Sequence, residues 1–458
     1  MKFTIIDPGF LGEYGIGKWG NSYWSSAVNH GVSQISAICK KDKIDCSLID
    51  FRQLSSYESF FEAVSKDSSL WYGITCRTID VPIVEKSAKI IKTIKPDAKV
   101  IIGGIHPSLS PDDFVKNNNF DYVFTGEADI TLPKLLREPD GFQKLVRGQI
   151  PDINDIPFED IGLYDYKLST SFSLYGGIVK PPMVPIITSR GCVYNCKFCQ
   201  PAEQILYGKK YRQKNVGQVL REVENIANHF EFNSIMFYDD CILAHKDFLF
   251  ELLERLSRVK KVEVMLQGRS NNICSLDNEM AELKKLGLRA VIIGFESGSQ
   301  RVLDFIGKGT TVEQNLRSAE ILHRHGIGIV GNFMIGLPTE TNNEIRETAD
   351  MAKKISATIS SCSFYSPMPG SYLFDYCREN DLIVERDYAK LSRDPKKSKI
   401  KGVDYDYANK ALCEIVGSRF KNKLLVKAVG YAYKNLKRGP LREILTKIYN
   451  KFFKGKKL

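Results

Sequence analysis

The chain has 458 residues, 43% of them apolar, 11% aromatic and 26% charged, the make-up of an ordinary globular protein of about three domains at roughly 150 residues each. No apolar run reaches the roughly 18 residues of a membrane-spanning helix, and Asp7 interrupts the N-terminus before a signal-peptide core forms, so a cytoplasmic location is expected and the 11 Cys read as reduced thiols or metal ligands rather than a disulfide framework. The net charge of +11 is confined to the end of the chain, where residues 410–458 hold 14 Lys and Arg against Glu414 and Glu443; the rest is close to neutral.

The first 140 residues alternate short β-branched runs with helical stretches. The runs are KFTII (2–6), CSLIDF (46–51), LWYGITC (70–76), KVIIGG (99–104) and DYVFTG (121–126), and segments such as 80–95 carry apolar residues at helical spacing. Apolar strands separated by helices predict a parallel, doubly wound α/β domain whose ligand sits beyond the carboxyl ends of the strands. Those ends read IDPGFLGEYG, GGIHPS and TGEAD, rich in Gly and small polar residues that let a ligand approach the backbone.

Residues 141–184 are broken by Pro151, Pro157, Pro181 and Pro182 and read as a linker. From 185 to 385 strands and helices alternate again. The strand-like runs are PIITS, SIMFYDD, VEVMLQGR, AVIIGFESG, GIGIVGNFMIGLP and SCSFYSPMPG, with helices expected around 216–229, 246–258, 278–286, 312–325 and 343–355. Six such units predict a (β/α)6 partial TIM barrel with its chemistry at the carboxyl ends of the strands. Residues 386–458 form a basic, mostly helical C-terminal extension.

The strongest chemical signal is SRGCVYNCKFCQP (189–201), which sets Cys192, Cys196 and Cys199 in a CxxxCxxC spacing directly after the first barrel strand. Soft thiolates suit iron-sulfur clusters or zinc. A structural zinc site takes four protein ligands, and no fourth Cys or His is near in sequence; three ligands to a four-iron cluster instead leave one iron open to chelation.

With this motif, and with Phe198 before its last Cys, the chain resembles the radical SAM superfamily. The resemblance implies a 4Fe-4S cluster on Cys192, Cys196 and Cys199, S-adenosylmethionine cleaved reductively to a 5′-deoxyadenosyl radical, and an electron donor such as flavodoxin or ferredoxin. It continues along the strand ends. FYDDC (237–241) would bring Asp239 and Asp240 to the amino group of S-adenosylmethionine, QGRS would bring Arg269 to its carboxylate, and GFESG would bring Glu296 and Ser297 to its ribose or amino group. Gly336, Pro338 and Pro369 would shape the loops around the adenine.

GGIHPS and DYVFTGEADITLPKLL, in a doubly wound domain ahead of such a barrel, are similar to the cobalamin-binding class of the superfamily, and the resemblance covers roughly residues 1–385. It implies bound cobalamin and methylation of an unactivated carbon of a metabolite or lipid; a radical cyclisation or rearrangement without methyl transfer is the alternative within the class. The DxHxxG pattern that presents a His to cobalt is absent from all six histidines, so the resemblance implies cobalamin with no protein side chain on its lower face. His106 reads as a loop hydrogen-bonder, and Cys39, Cys46, Cys76, Cys241, Cys274, Cys362, Cys377 and Cys413, which show no paired spacing, read as small buried residues. A tRNA methylthiotransferase would carry three further Cys in the N-terminal domain, one of them just after the first strand, where this chain has none. A non-enzymatic iron-sulfur protein would not need FYDDC, Arg269 and GFESG at successive strand ends.

In the tail, LREILTKIYNKFFKGKKL repeats Leu441, Ile444, Leu445, Ile448, Phe452 and Phe453 mostly at three- and four-residue steps with lysines between. Such a basic amphipathic helix fits an anionic membrane surface, in keeping with a lipid substrate, or docks on the barrel with a solvated lysine face. No RNA-binding module is recognisable, so nucleic acid is not an expected partner.

Overall fold

The structure is a computed structural model that describes residues 1–9, 28–164, 178–391 and 398–419. The loop after the first strand and the amphipathic run of the tail lie outside the described residues.

Strands β1 (Lys2–Asp7), β2 (Asp45–Asp50), β3 (Trp71–Thr75), β4 (Lys99–Gly103), β5 (Tyr122–Thr125) and β6 (Leu145–Arg147) form one parallel sheet in the order β2-β1-β3-β4-β5-β6. The chain starts inside the sheet, steps out to β2, then crosses β1 to β3, so the strand order reverses beside β1. Alternation along the strands separates two cores. Phe3, Ile5, Ile101 and Phe124 face the helix His30–Lys41, while Ile6, Ile74, Val100 and Ile102 face the helix Val81–Ile94. β6 falls inside the segment expected to be a linker: with Val146 alone buried among its three residues, it is too short to show a pattern.

The second sheet begins with β7 (Met183–Ile186). A short antiparallel pair, β8 (Ser189–Arg190) and β9 (Arg212–Gln213), brackets the cysteine loop. The sheet then continues through β10 (Ser234–Phe237), β11 (Glu263–Gly268), β12 (Leu288–Glu296), β13 (Gly328–Ile335) and β14 (Ile359–Phe364), all parallel and paired in chain order. Among the described strands β7 and β14 do not pair, so this is the expected open barrel of six strands. Its inner face is apolar, with Met236, Met265, Ala290, Ile292 and Val330 packed around Val179. Its outer face buries Ile235, Val264, Leu266, Val291 and Ile329 under amphipathic helices. Two of these, Val312–Arg324 and Asn342–Ile355, start at capping boxes built on Thr311 with Gln314 and on Thr341 with Glu344.

The C-terminal extension ties the two domains together. Its helix Tyr405–Val416 buries Ala408, Leu412 and Ile415 in the barrel core. The preceding segment returns to the first domain, where the Tyr388 hydroxyl donates to Asp113 (3.1 Å) and its ring meets His106 edge-on at 5.0 Å.

Candidate active site

The cysteine loop is held by its backbone, which leaves the thiols available. Lys197 N donates to Ile306 O (2.9 Å), Leu373 N donates to Lys197 O (3.0 Å), and the Gln204 amide donates to Cys192 O (2.6 Å) and Tyr194 O (3.2 Å). The Tyr194 hydroxyl donates to Asn272 (2.7 Å), and the Arg269 guanidinium lies 3.7 Å over the Tyr194 ring while donating to Cys196 Sγ at 3.2 Å. A hydrogen bond from Cys199 pulls the Cys196 thiol down to about 6, with Lys308 and Arg269 acting in the same sense. Cys192 is pulled down to about 7 by a hydrogen bond from Cys241. Cys241, buried as expected, is thus the partner of Cys192. Among the described residues no three His, Cys, Asp or Glu side chains converge on one point as a single metal ion requires. A four-iron cluster asks for less convergence, because each thiolate binds its own iron; Cys192 and Cys196 are depressed, Cys199 is pushed up as the partner of Cys196, and the two cations beside them suit a cluster of net negative charge.

The acidic residues divide into one that is spoken for and two that face the mouth. Asp239 is buried at the end of β10 and accepts from Thr188 N (3.0 Å), Thr188 Oγ1 (2.7 Å) and the Ser189 hydroxyl, so it fastens the start of the cysteine loop. Asp240 keeps an open edge at the barrel mouth, while desolvation and then the neighbouring Asp239 push its carboxyl up. Glu296 holds φ = 60° at a break in the β12–β13 register and pairs with Lys308 at 3.0 Å. Lys308 is buried and stands 5.9 Å from the Phe198 ring, itself packed against the apolar cluster that contains Val302, Leu337 and Leu373. Ser297, expected at the cofactor, is fully buried instead: its hydroxyl meets Thr348 Oγ1 at 3.2 Å and accepts from Ser299 N. The break in register turns Glu296 toward the mouth and the next side chain toward the outer helix.

A cavity of about 450 Å³ joins the two domains. One wall is the carboxyl edge of the first sheet, with Thr75, Gly103, Gly104 and Gly126; the other is the mouth of the barrel, with Ser189, Asp239 and Asp240. Apolar side chains of β1, β4 and β5 (Phe3, Ile5, Ile101 and Phe124) extend it into the first domain. This cradle of glycines and apolar side chains at a strand-order reversal fits a large, weakly charged ring such as cobalamin. Beside it Arg190 donates to Glu127 and, at 2.9 and 3.0 Å, to both oxygens of Asp129, while Arg212 donates to Glu127. The Tyr207 hydroxyl accepts from Glu127 N (2.9 Å) and donates to Gly148 O (3.0 Å). Glycine suits position 126, where φ is 79° and a Cβ would displace that hydroxyl.

TGEAD is therefore a docking loop as well as a cavity wall, which its sequence alone does not reveal, since its partners lie 61 to 85 residues away. Lys308 was equally hidden, a lysine in GKG with no pattern of its own. His106 behaves as expected, bonded to Thr78 at 3.1 Å and Asp113 at 2.9 Å. Cys39 meets Cys46 on one side of the first sheet while Cys76 is buried on the other, so these three do not form a second ligand set.

The sequence model of the radical SAM superfamily matches residues 186–352, and that of the B12 binding domain matches residues 24–136. An uncharacterized methyltransferase of Pyrococcus horikoshii is 26% identical over 439 residues, 90% of this chain and 93% of that protein. An anaerobic magnesium-protoporphyrin IX monomethyl ester cyclase of Rubrivivax gelatinosus is 26% identical over 327 residues, 66% of this chain and 57% of the cyclase. Among solved structures, the cobalamin-dependent S-adenosylmethionine radical enzyme OxsB with aqua-cobalamin and S-adenosylmethionine bound superposes with a TM-score of 0.67 at 15% identity, over 98% of this chain and 75% of OxsB, which shows the shared fold. With both domains matched in this order, the chain belongs to the radical SAM superfamily, in the class that carries a B12-binding domain.

Proposed function

We propose that this radical SAM enzyme is a cobalamin-dependent methyltransferase that acts on an unactivated carbon of a small metabolite or lipid. The observation that carries the reading is the single cavity bounded by the ligand edge of the B12-binding domain and by the mouth of the barrel, because a methyl carrier and a radical source must reach one substrate carbon. When bound, the cluster supplies the electron that cleaves S-adenosylmethionine and cobalamin supplies the methyl group.

The chain's own part is to bind, orient and exclude water. Cys192, Cys196 and Cys199 hold the cluster, and Arg269 and Lys308 offset its charge. Asp240 after β10 and Glu296 at the end of β12, with β11 and Arg269 between them, are the carboxylates for the amino and ribose groups of S-adenosylmethionine, and Arg269 is placed for its carboxylate. Asp239 positions the loop rather than touching the cofactor, and Phe198 packs beneath it. The Arg190–Glu127–Asp129 clamp fixes the distance between the two cofactor sites.

The decisive experiment is turnover with methyl-deuterated S-adenosylmethionine, a one-electron donor such as flavodoxin or ferredoxin, and candidate substrates. The reading expects 5′-deoxyadenosine together with a product heavier by a deuterated methyl. The cyclase among the relatives supports a second reading, in which 5′-deoxyadenosine forms and the product gains no methyl. A lipid substrate would accord with membrane contact by the basic tail. In that case the intact protein sediments with anionic vesicles and a version lacking residues 420–458 does not; equal behaviour of the two removes the idea. Among the described residues no helix is long and apolar enough to cross a membrane.

A further inference from the structure

We propose that Tyr194, inside the cysteine motif, is a positioning residue that aims the Arg269 guanidinium at the sulfur of Cys196 and thereby sets the reduction potential of the cluster. The inference rests on Cys192, Cys196 and Cys199 as the cluster ligands and is independent of what the enzyme methylates. Arg269 is buried, yet among the described residues it pairs with no carboxylate, whereas Lys308, the other buried cation beside Cys196, is taken up by Glu296 at 3.0 Å. The Arg269 guanidinium instead donates from Nη1 to Cys196 Sγ at 3.2 Å and, at the longer distance of 3.5 Å, from Nε to Asn271 Oδ1. A neutral thiol and an amide return less than a buried cation loses in desolvation. The site is therefore built for an anion at Cys196, and a thiolate that carries part of a cluster's charge is that anion.

Tyr194 directs the guanidinium. The guanidinium carbon lies 3.7 Å from the centre of the Tyr194 ring, close enough for the flat cation to rest on the ring face. The Tyr194 hydroxyl donates to Asn272 Oδ1 at 2.7 Å, three residues past Arg269 in the short helix Ser270–Ser275, so one turn of chain grips the ring by its face and by its oxygen. That turn is itself fixed: Ser270 is fully buried and donates to Asn315 (2.7 Å), whose amide donates to Phe295 O in β12 (3.1 Å). On the loop side the Tyr194 carbonyl accepts from Gln204. The ring cannot tilt without lengthening the Asn272 bond, so the platform under Arg269 is held from both sides. An N–H donated to a cluster sulfur, with a cation behind it, favours the reduced and more negative cluster and raises its potential. Arg269 has five N–H groups, enough to serve Cys196 and the carboxylate of S-adenosylmethionine.

The test is a redox titration, followed by electron paramagnetic resonance, of the full-length protein isolated anaerobically with its cluster and without S-adenosylmethionine. Tyr194→Leu and Arg269→Gln are each expected to move the midpoint to a more negative potential at unchanged iron content. Tyr194→Phe, which keeps the ring and frees its hydroxyl end, should move it less, and the double variant Tyr194→Leu with Arg269→Gln should go no further than Arg269→Gln alone. A merely structural role for Tyr194 would lower iron content and leave the midpoint of the remaining clusters in place; that result, or shifts that add in the double variant, overturns the proposal. Should Tyr194→Leu retain no cluster, Tyr194→Phe decides. In protein made with nitrogen-15 arginine, pulsed resonance of the reduced cluster should show a nitrogen-15 coupling that is absent in Arg269→Gln and weakened in Tyr194→Phe. A coupling equal in Tyr194→Phe and the unaltered protein, or found in neither, overturns the proposal while the cluster assignment stands. The lack of any four-iron signal in the unaltered protein overturns the cluster assignment as well.

Discussion

The two six-stranded parallel sheets share strand direction and buried faces, yet they meet the cavity with different materials. The first sheet reverses its strand order; beyond β4 and β5 it meets the cavity with Gly103, Gly104 and Gly126, while the ends of β1 and β2 carry the buried ions Asp7, Asp50 and Arg52. The barrel sheet runs in simple order and ends in ions, with Arg190, Asp240, Arg269, Glu296 and Lys308 at or near its mouth. A broad ring of low charge needs surface without side chains. A zwitterionic sulfonium ligand beside an anionic cluster needs fixed counter-charges. The same alternation of strand and helix thus serves two cofactors through a different strand order and different residues after each strand.

The sharpest way to break this comparison is at the cluster. Cys192→Ala should abolish the iron-sulfur absorption and reductant-dependent 5′-deoxyadenosine together, while cobalamin retention by the first domain persists. If corrinoid is lost with the cluster, the two ends are one cooperative site. Next in size is the clamp. Arg190→Gln leaves Asp129 and part of Glu127 unpaired in a largely buried setting, a change of up to about 3–5 kcal/mol for a buried pair. Methyl transfer should fall about a hundredfold or more, at about 1.4 kcal/mol per tenfold, while 5′-deoxyadenosine formation changes only severalfold. Parallel loss of both products would show that Arg190 serves the cluster loop rather than the distance between sites.

The barrel end was more legible in the sequence than the first-domain end, for a physical reason. The residues expected to be ligands follow their strands directly, so CxxxCxxC, FYDDC, QGRS and GFESG each carry their own context, and strand period fixes which end they occupy. Ser297 eluded this because a break in register at Glu296 decides which of two adjacent residues faces inward. In the first domain, the fold was visible in its apolar runs, but the docking of TGEAD onto Arg190, Arg212 and Tyr207 and the pairing of His30 with Glu159 are long-range contacts with no local pattern. β6 was hidden by its length and Lys308 by the ordinary look of a lysine between two glycines.

The charged end also contains an acid that works against the fold at neutral pH. Glu340, in the turn after β13, is buried and accepts from Gly336 N at 2.6 Å and Leu337 N at 3.1 Å; its other oxygen has no partner among the described residues. Desolvation outweighs those two hydrogen bonds and pushes the carboxyl up to about 8. The folded state then holds a proton that the unfolded chain releases near its ordinary value of 4.5. Stability should therefore be full below pH 4.5 with respect to this group and fall as pH rises toward 8, by up to about 1.4 kcal/mol per pH unit. Glu340→Gln keeps an acceptor for the turn and removes the titration. Urea unfolding from pH 5 to 8 should show a flatter profile for the variant, and an unchanged slope would mean that Glu340 is ionised in the fold.

The smallest expected effect tests the glycine end directly. Gly104 has φ = 108° and ψ = −167°, a region open to glycine and almost closed to other residues. A Cβ there would stand 2.9 Å from both the backbone N and O of Cys76, whose N donates to Gly103 O and whose O accepts from His106 N. Neither neighbour moves without breaking a bond that joins β4 to the loop after β3. Gly104→Ala should thus cost about 1–3 kcal/mol in the first domain and add a methyl group to the cavity edge, so corrinoid retention should weaken while iron content and 5′-deoxyadenosine formation hold. The Cys loop is tied mainly to the barrel, through Ile306, Leu373 and Asp239, and should respond less than the glycine edge does. If Gly104→Ala instead depletes iron and leaves corrinoid retention intact, the glycine edge belongs to the cluster side, and the division of labour between the two sheet ends is wrong.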